Sequence, residues 1–196
     1  MRVFSSIPKA RVLSIAVISM VSATVMASEL FDVKEEQYNP DGLSVTIAAE
    51  KVKGAGNPVN TDDKHNYGWV LARNNTPPLG PSADLTLKFK GDSLNVTEVG
   101  FDRLMGATQC GGGSPRFNVE TATEVLFLEC DQPSGPIVEG SYTVTTTRTD
   151  FGNGWERIRF QISPAASAVF LQVMSDSGPG AALIDNINVN GVLVGK

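Results

Sequence analysis

Short runs in which apolar and polar residues alternate recur along almost the whole chain, while apolar positions at helical spacing are nearly absent. Leu43, Val45 and Ile47 alternate with Ser44 and Thr46, and Tyr67, Trp69 and Leu71 take every second place in the next run. Leu85, Leu87 and Phe89 alternate with Thr86, Lys88 and Lys90. Successive side chains of a strand point to opposite faces, so each run predicts a strand with one dry face and one wet face. The same pattern predicts strands over 96–104, 116–120, 125–128, 142–147, 155–162, 169–174 and 183–189. Turn-rich stretches at 54–63, 74–82, 111–114, 131–140 and 175–180 separate them. Ten short strands so spaced predict an all-β fold, an antiparallel β-sandwich of jelly-roll type. Residues 28–40, charged and short of large apolar groups after Phe31, read as a poorly ordered lead-in.

The first 27 residues break the pattern. Arg2, Lys9 and Arg11 precede an apolar run at 12–25, and Val25-Met26-Ala27 supplies a small-x-small site, the marks of an export signal cleaved before Ser28. A retained anchor is the alternative, but the run is interrupted by serines and falls short of the ~20 apolar residues a span needs. The expectation is one domain over 28–196 that is secreted, periplasmic or at the cell surface, with no membrane span after signal removal. Cleavage would leave 13 basic against 21 acidic residues, a charge of −8, which disfavours nucleic acid and anionic membranes as partners. Cys110 and Cys130 are the only cysteines, and in an oxidising compartment they have one intramolecular pairing open to them. They flank the hairpin expected from 116–120 and 125–128, so the disulfide would clamp it. Gly111-Gly112-Gly113 reads as a turn, since a phosphate loop needs a following helix and usually a Lys.

Two segments carry a likeness. Gly154-Trp155-Glu156-Arg157-Ile158-Arg159-Phe160-Gln161-Ile162, followed by Leu183-Ile184-Asp185-Asn186-Ile187-Asn188-Val189-Asn190-Gly191, resembles the closing strands of carbohydrate-binding-type (galactose-binding-like) jelly rolls. Gly100 to Arg103, together with Cys110-Gly111-Gly112-Gly113-Ser114-Pro115-Arg116-Phe117-Asn118-Val119 and Cys130, resembles uncharacterised exported bacterial proteins and implies no activity. The first resemblance implies the sandwich fold and a polysaccharide or cell-surface glycan as ligand. Strict alternation cannot put Ile184, Ile187 and Val189 on one face, so a bulge is expected near Asp185-Asn186. The resemblance implies a structural calcium on Asp185; the alternative is that Asp185 accepts hydrogen bonds from backbone amides at the irregularity. No other cofactor is expected.

Arg157, Arg159 and Gln161 share the polar face of their strand and offer a ligand surface. Tyr67, Trp69 and Trp155 are candidates for stacking on sugar rings, though Trp69 alternates as a core residue does. Trp155 falls on the parity of the arginines, so it is either exposed beside them or turned inward. Asp62-Asp63 lacks the calcium-loop pattern and reads as a solvated turn. The single histidine, His65, has no recognisable partner, no serine sits in a nucleophile motif, and no carboxylate pair stands in a recognisable frame. The expected function is therefore non-catalytic binding outside the cytoplasm, with a candidate ligand site at Trp155, Arg157, Arg159 and Tyr67. A structural or adhesive surface protein is the alternative, followed by a hydrolase or lyase on the same scaffold.

Overall fold

The computed structural model describes residues 31–40, 47–59, 65–73, 81–108, 110–176 and 180–195. The leader expected at 1–27, Leu43, Val45 and the Asp62-Asp63 loop lie outside them. The described chain is all β, an antiparallel sheet folded into a nearly closed, barrel-like sandwich. Its first layer runs in the order β2 (Ile47–Lys53), β3 (Tyr67–Arg73), β11 (Gly180–Val189), β5 (Leu94–Leu104), β10 (Trp155–Ser175), β9 (Tyr142–Asp150) and β8 (Gly135–Glu139). The second runs β1 (Phe31–Tyr38), β4 (Ser82–Phe89), β10 again, β6 (Arg116–Thr121) and β7 (Val125–Glu129). A short β12 (Val192–Leu193) pairs with β11.

One strand belongs to both layers. Residues 155–163 of β10 lie between β9 and β5, whereas its residues 172–175 lie between β6 and β4. The change of partners falls around Pro164, which has no N–H to give a ladder, and the register with β5 shifts between Gln161 and Ala166. The two strands expected at 155–162 and 169–174 are therefore a single bent one.

Alternation then fills the interior. Phe101 from β5, Phe117 from β6, Leu128 from β7, Leu85 from β4 and Phe160 from β10 are all fully buried in one core. Each such side chain contributes about 1.5–3 kcal/mol by leaving water.

Three strands escaped the alternation pattern. The stretch expected as a poorly ordered lead-in holds β1, which pairs along its whole length with β4, from Phe31 opposite Phe89 to Tyr38 opposite Ser82. Its Phe31 and Val33 pack against the core, and its charges suit a strand that pairs through only one edge. The turn-rich stretch at 131–140 contains β8, which tolerates Pro136 because it too lies at a sheet edge. The third is β12. Cys110 and Cys130 are joined, with their Cα atoms 5.4 Å apart, and Cys130 directly follows the β6–β7 hairpin.

Candidate functional site

The outer face of the first layer gathers the polar residues singled out in β10. In register with them stand Asp102 opposite Arg157 and Gly100 opposite Arg159 on β5, with Asp185 of β11 opposite Asp102. Asp102 is fully buried. Arg157 closes on it from Nε (2.9 Å) and Nη2 (3.1 Å), and Arg159 approaches to 3.6 Å. Asn57 and Asn186 donate side-chain amides to Asp102 Oδ2 at 3.2 and 3.0 Å. Arg159 lies across Gly100, where a Cβ would come within 2.2 Å of the Ile158 carbonyl and 2.8 Å of Arg159 Cδ. Burial lowers Arg159 to about 10, with Asp102 opposing that shift and Arg157 adding to it. Much of the arginines' hydrogen-bonding capacity is thus directed inward, and the Arg157 guanidinium also covers the Phe151 ring at 5.2 Å.

Trp155 keeps the parity of the arginines, since its register with β5 is unbroken, yet it is only 4% exposed and stands apart from the main core. Trp69 is buried in that core. Tyr67 is half-buried beneath Lys51 (4.8 Å) with His65 edge-on at 5.7 Å. Tyr67 is on β3, separated from β10 by β11 and β5, three strand spacings or roughly 14 Å. The structure therefore brings Arg157 and Arg159 together around Asp102 and leaves Tyr67 elsewhere.

The irregularity expected near Asp185-Asn186 is present: the register shifts between Asp185 and Asn188, and Asn186 has a φ of 48°. Asp185 Oδ1 accepts the Asn186 N–H at 2.6 Å, while Oδ2 accepts the Asn57 N–H at 2.8 Å and Asn186 Nδ2 at 3.1 Å. Both oxygens hold amides, the role weighed against calcium. Beside Asp185, Asn66 Oδ1 is buried without a hydrogen-bond partner among the described residues, and it, Asp185 Oδ2 and the Tyr67 carbonyl crowd Gly56, all within 2.9 Å of where a Cβ there would be. Among the described residues no group of three His, Cys, Asp or Glu side chains is placed to hold a metal ion.

The outer face of the second layer is a different surface, and its parts come from distant stretches of sequence. Register places Phe127, Asn118, Gln172, Thr86 and Lys34 in one row across β7, β6, β10, β4 and β1. The next row is Glu129, Arg116, Met174, Asp84 and Glu36. Five strands make these rows roughly 19 Å long. Phe127 is 43% exposed and Tyr38 55%, so flat apolar rings stand at opposite edges of a polar face. Arg116 organises the middle: it binds Asp176 through both terminal nitrogens (2.8 and 2.6 Å), touches Asn118 and Met174, and lies 5.2 Å from the Phe127 ring. Asn118 in turn donates to Gln172 at 3.2 Å.

Over β1, β4 and β10 the face sinks into a groove of about 600 Å³, lined among others by Lys34, Glu36, Tyr38, Asp84, Gln172 and Met174. That volume is within the range of small-ligand sites. Asp84 lines it while only 3% exposed; its Oδ2 accepts the Ser82 hydroxyl at 2.8 Å and its Oδ1 has no hydrogen-bond partner among the described residues. Burial pushes the Asp84 carboxyl up to about 6; the Ser82 hydroxyl opposes this, Asp176 and Glu36 add to it, and Arg116 opposes it. Glu36 is held below the usual carboxylate range by hydrogen bonds from Lys34 and Thr86. Sequence reading passed over this site. The signal available was the alternation of Ser82, Asp84 and Thr86 with Ala83, Leu85 and Leu87, which marks a polar face without showing that it is recessed.

The disulfide is tied to the first layer by a charged cluster from β5, β9 and β10. Arg103 contacts Cys110 Sγ and donates to Glu156 at 2.7 Å; Arg148 binds Glu156 at 3.0 Å and the carbonyls of Cys130 and Gln132. No helix among the described residues is long and apolar enough to cross a membrane. Comparison of the chain with known proteins found no matching family, no matching curated protein and no matching solved structure.

Proposed function

We propose that the protein is an exported, non-catalytic binding module whose ligand, a polysaccharide or cell-surface glycan, lies across the outer face of the second layer. The observation that carries this is the row from exposed Phe127 through Asn118, Gln172 and Thr86 to Lys34, which runs beside the groove. A sugar ring offers an apolar C–H face to an aromatic side chain, and its hydroxyls need amide, hydroxyl and carboxylate partners. The row offers both kinds of contact on a sheet whose other face is locked into the core. Export is supported by the disulfide, which belongs to oxidising compartments. On a glycan array and in affinity gels, Phe127→Ala and Gln172→Ala are each expected to weaken binding at least tenfold. Binding unchanged in both variants would move the site elsewhere.

A hydrolase on the same groove is the second reading, favoured by one group: a buried carboxyl raised to about 6 is poised as catalytic acids are. Release of reducing ends from a bound glycan, abolished in Asp84→Asn, would establish it in place of simple binding.

A further inference from the structure

Resting on the glycan-binding reading above, we infer that the groove over β1, β4 and β10 selects sugars bearing a free amine, whose ammonium takes Asp84 as its counter-ion. The groups around Asp84 are otherwise paired among themselves. Arg116 of β6 is closed on Asp176 through both terminal nitrogens, and Lys34 of β1 on Glu36. Lys88, the remaining cation of β4 on this face, acts on Glu36. Among the described residues Asp84 is left with one hydroxyl bond and one unpartnered oxygen, in a groove where Lys34 offsets Glu36 and Glu35 adds further negative charge.

Three ligand types meet that groove differently. A carboxylate-bearing chain is repelled by the acidic side chains. A neutral hydroxyl gives Asp84 a single donor and leaves its charge uncompensated. An ammonium brings both the missing charge and several donors, and a hydrogen bond between two charged groups is the strong kind. Tyr38, exposed at the lip, adds a ring face that attracts a cation. Burial raises the Asp84 carboxyl to about 6, the expected mark of a carboxylate lacking such a partner.

The test is calorimetric titration at pH 6.5 of the full secreted chain with three oligomers of equal length: β-1,4-linked glucosamine, its fully N-acetylated counterpart and a galacturonate. The glucosamine oligomer is expected to bind roughly tenfold or more tightly than the acetylated one, and the galacturonate most weakly. Asp84→Asn should erase the preference, so that the two oligomers bind alike, and its melting curve reports whether it is folded. Equal affinity for the amine and acetylated oligomers, or a preference that persists in Asp84→Asn, overturns the inference and leaves the glycan-binding reading standing. Failure of all three oligomers and of every neutral glycan overturns both.

Discussion

Replacing Asp84 by Asn should make the protein more stable at neutral pH, an unusual outcome for a change at a residue only 3% exposed. Folding moves this carboxyl from its ordinary 3.8 to about 6. A raised carboxyl pKa means that the native state holds the proton more tightly than the unfolded chain. The stabilisation is therefore complete below about pH 3.8 and is lost as pH rises through 6. A shift of that size means the charge costs the native state roughly 2–3 kcal/mol at pH 7. Asn keeps the shape and can still accept from the Ser82 hydroxyl, so the variant loses the charge and little else. Urea unfolding of both proteins with the disulfide intact should give curves that nearly coincide at pH 4 and differ by about 2–3 kcal/mol in favour of Asn at pH 7. A variant less stable than wild type at pH 7, or a difference that does not change with pH, would refute the account of Asp84 as an uncompensated charge. A group that costs stability where it stands is the kind retained for what it binds.

The other expectations concern the rest of the sandwich. Asp102→Ala strips the buried counter-ion from Arg157 and Arg159 and should cost about 3–5 kcal/mol in urea unfolding; a loss under 1 kcal/mol would mean that the pairing does not hold β5, β10 and β11 together. Replacing Cys110 and Cys130 together by Ser reopens a loop spanning 20 residues and should cost roughly 3 kcal/mol, so an unchanged midpoint would show that the charged cluster of Arg103, Arg148 and Glu156 suffices to close the region. Because both Asp185 oxygens already hold amides, a chelator is expected to leave the melting midpoint unchanged. A fall reversed by calcium would instead place a cation among Asp185, Asn66 Oδ1 and the Tyr67 carbonyl.

What the sequence disclosed and what it hid follow from the range of the forces involved. Alternation is local, so β3, β4, β6 and β7 and the apolar faces of β5 and β10 were legible, as was the irregularity at Asp185-Asn186. β1 and β8 were not, since edge strands carry charge, Gly and Pro that also mark loops. The stretches 155–162 and 169–174, read as two strands, are one bent strand through Pro164. The polar faces were visible strand by strand, but their meaning depended on register between strands. Nothing near Arg157 announces that Asp102, 55 residues earlier, is its partner. Likewise Asp84 gains its groove only from Glu36, Met174 and Gln172 on two other strands. Trp155 shows the limit most plainly, with a parity that points outward and a position that is buried.

The passage of β10 through both layers has a mechanical consequence. Two sheets joined only by loops can slide or part, but here a single backbone of 21 residues is an interior member of each, paired on both sides over 156–161 in one and 172–174 in the other. Amide protons at Phe160 and Val173, at the two ends of that backbone, should therefore exchange through the same opening event, and a load applied to one sheet is borne directly by the other.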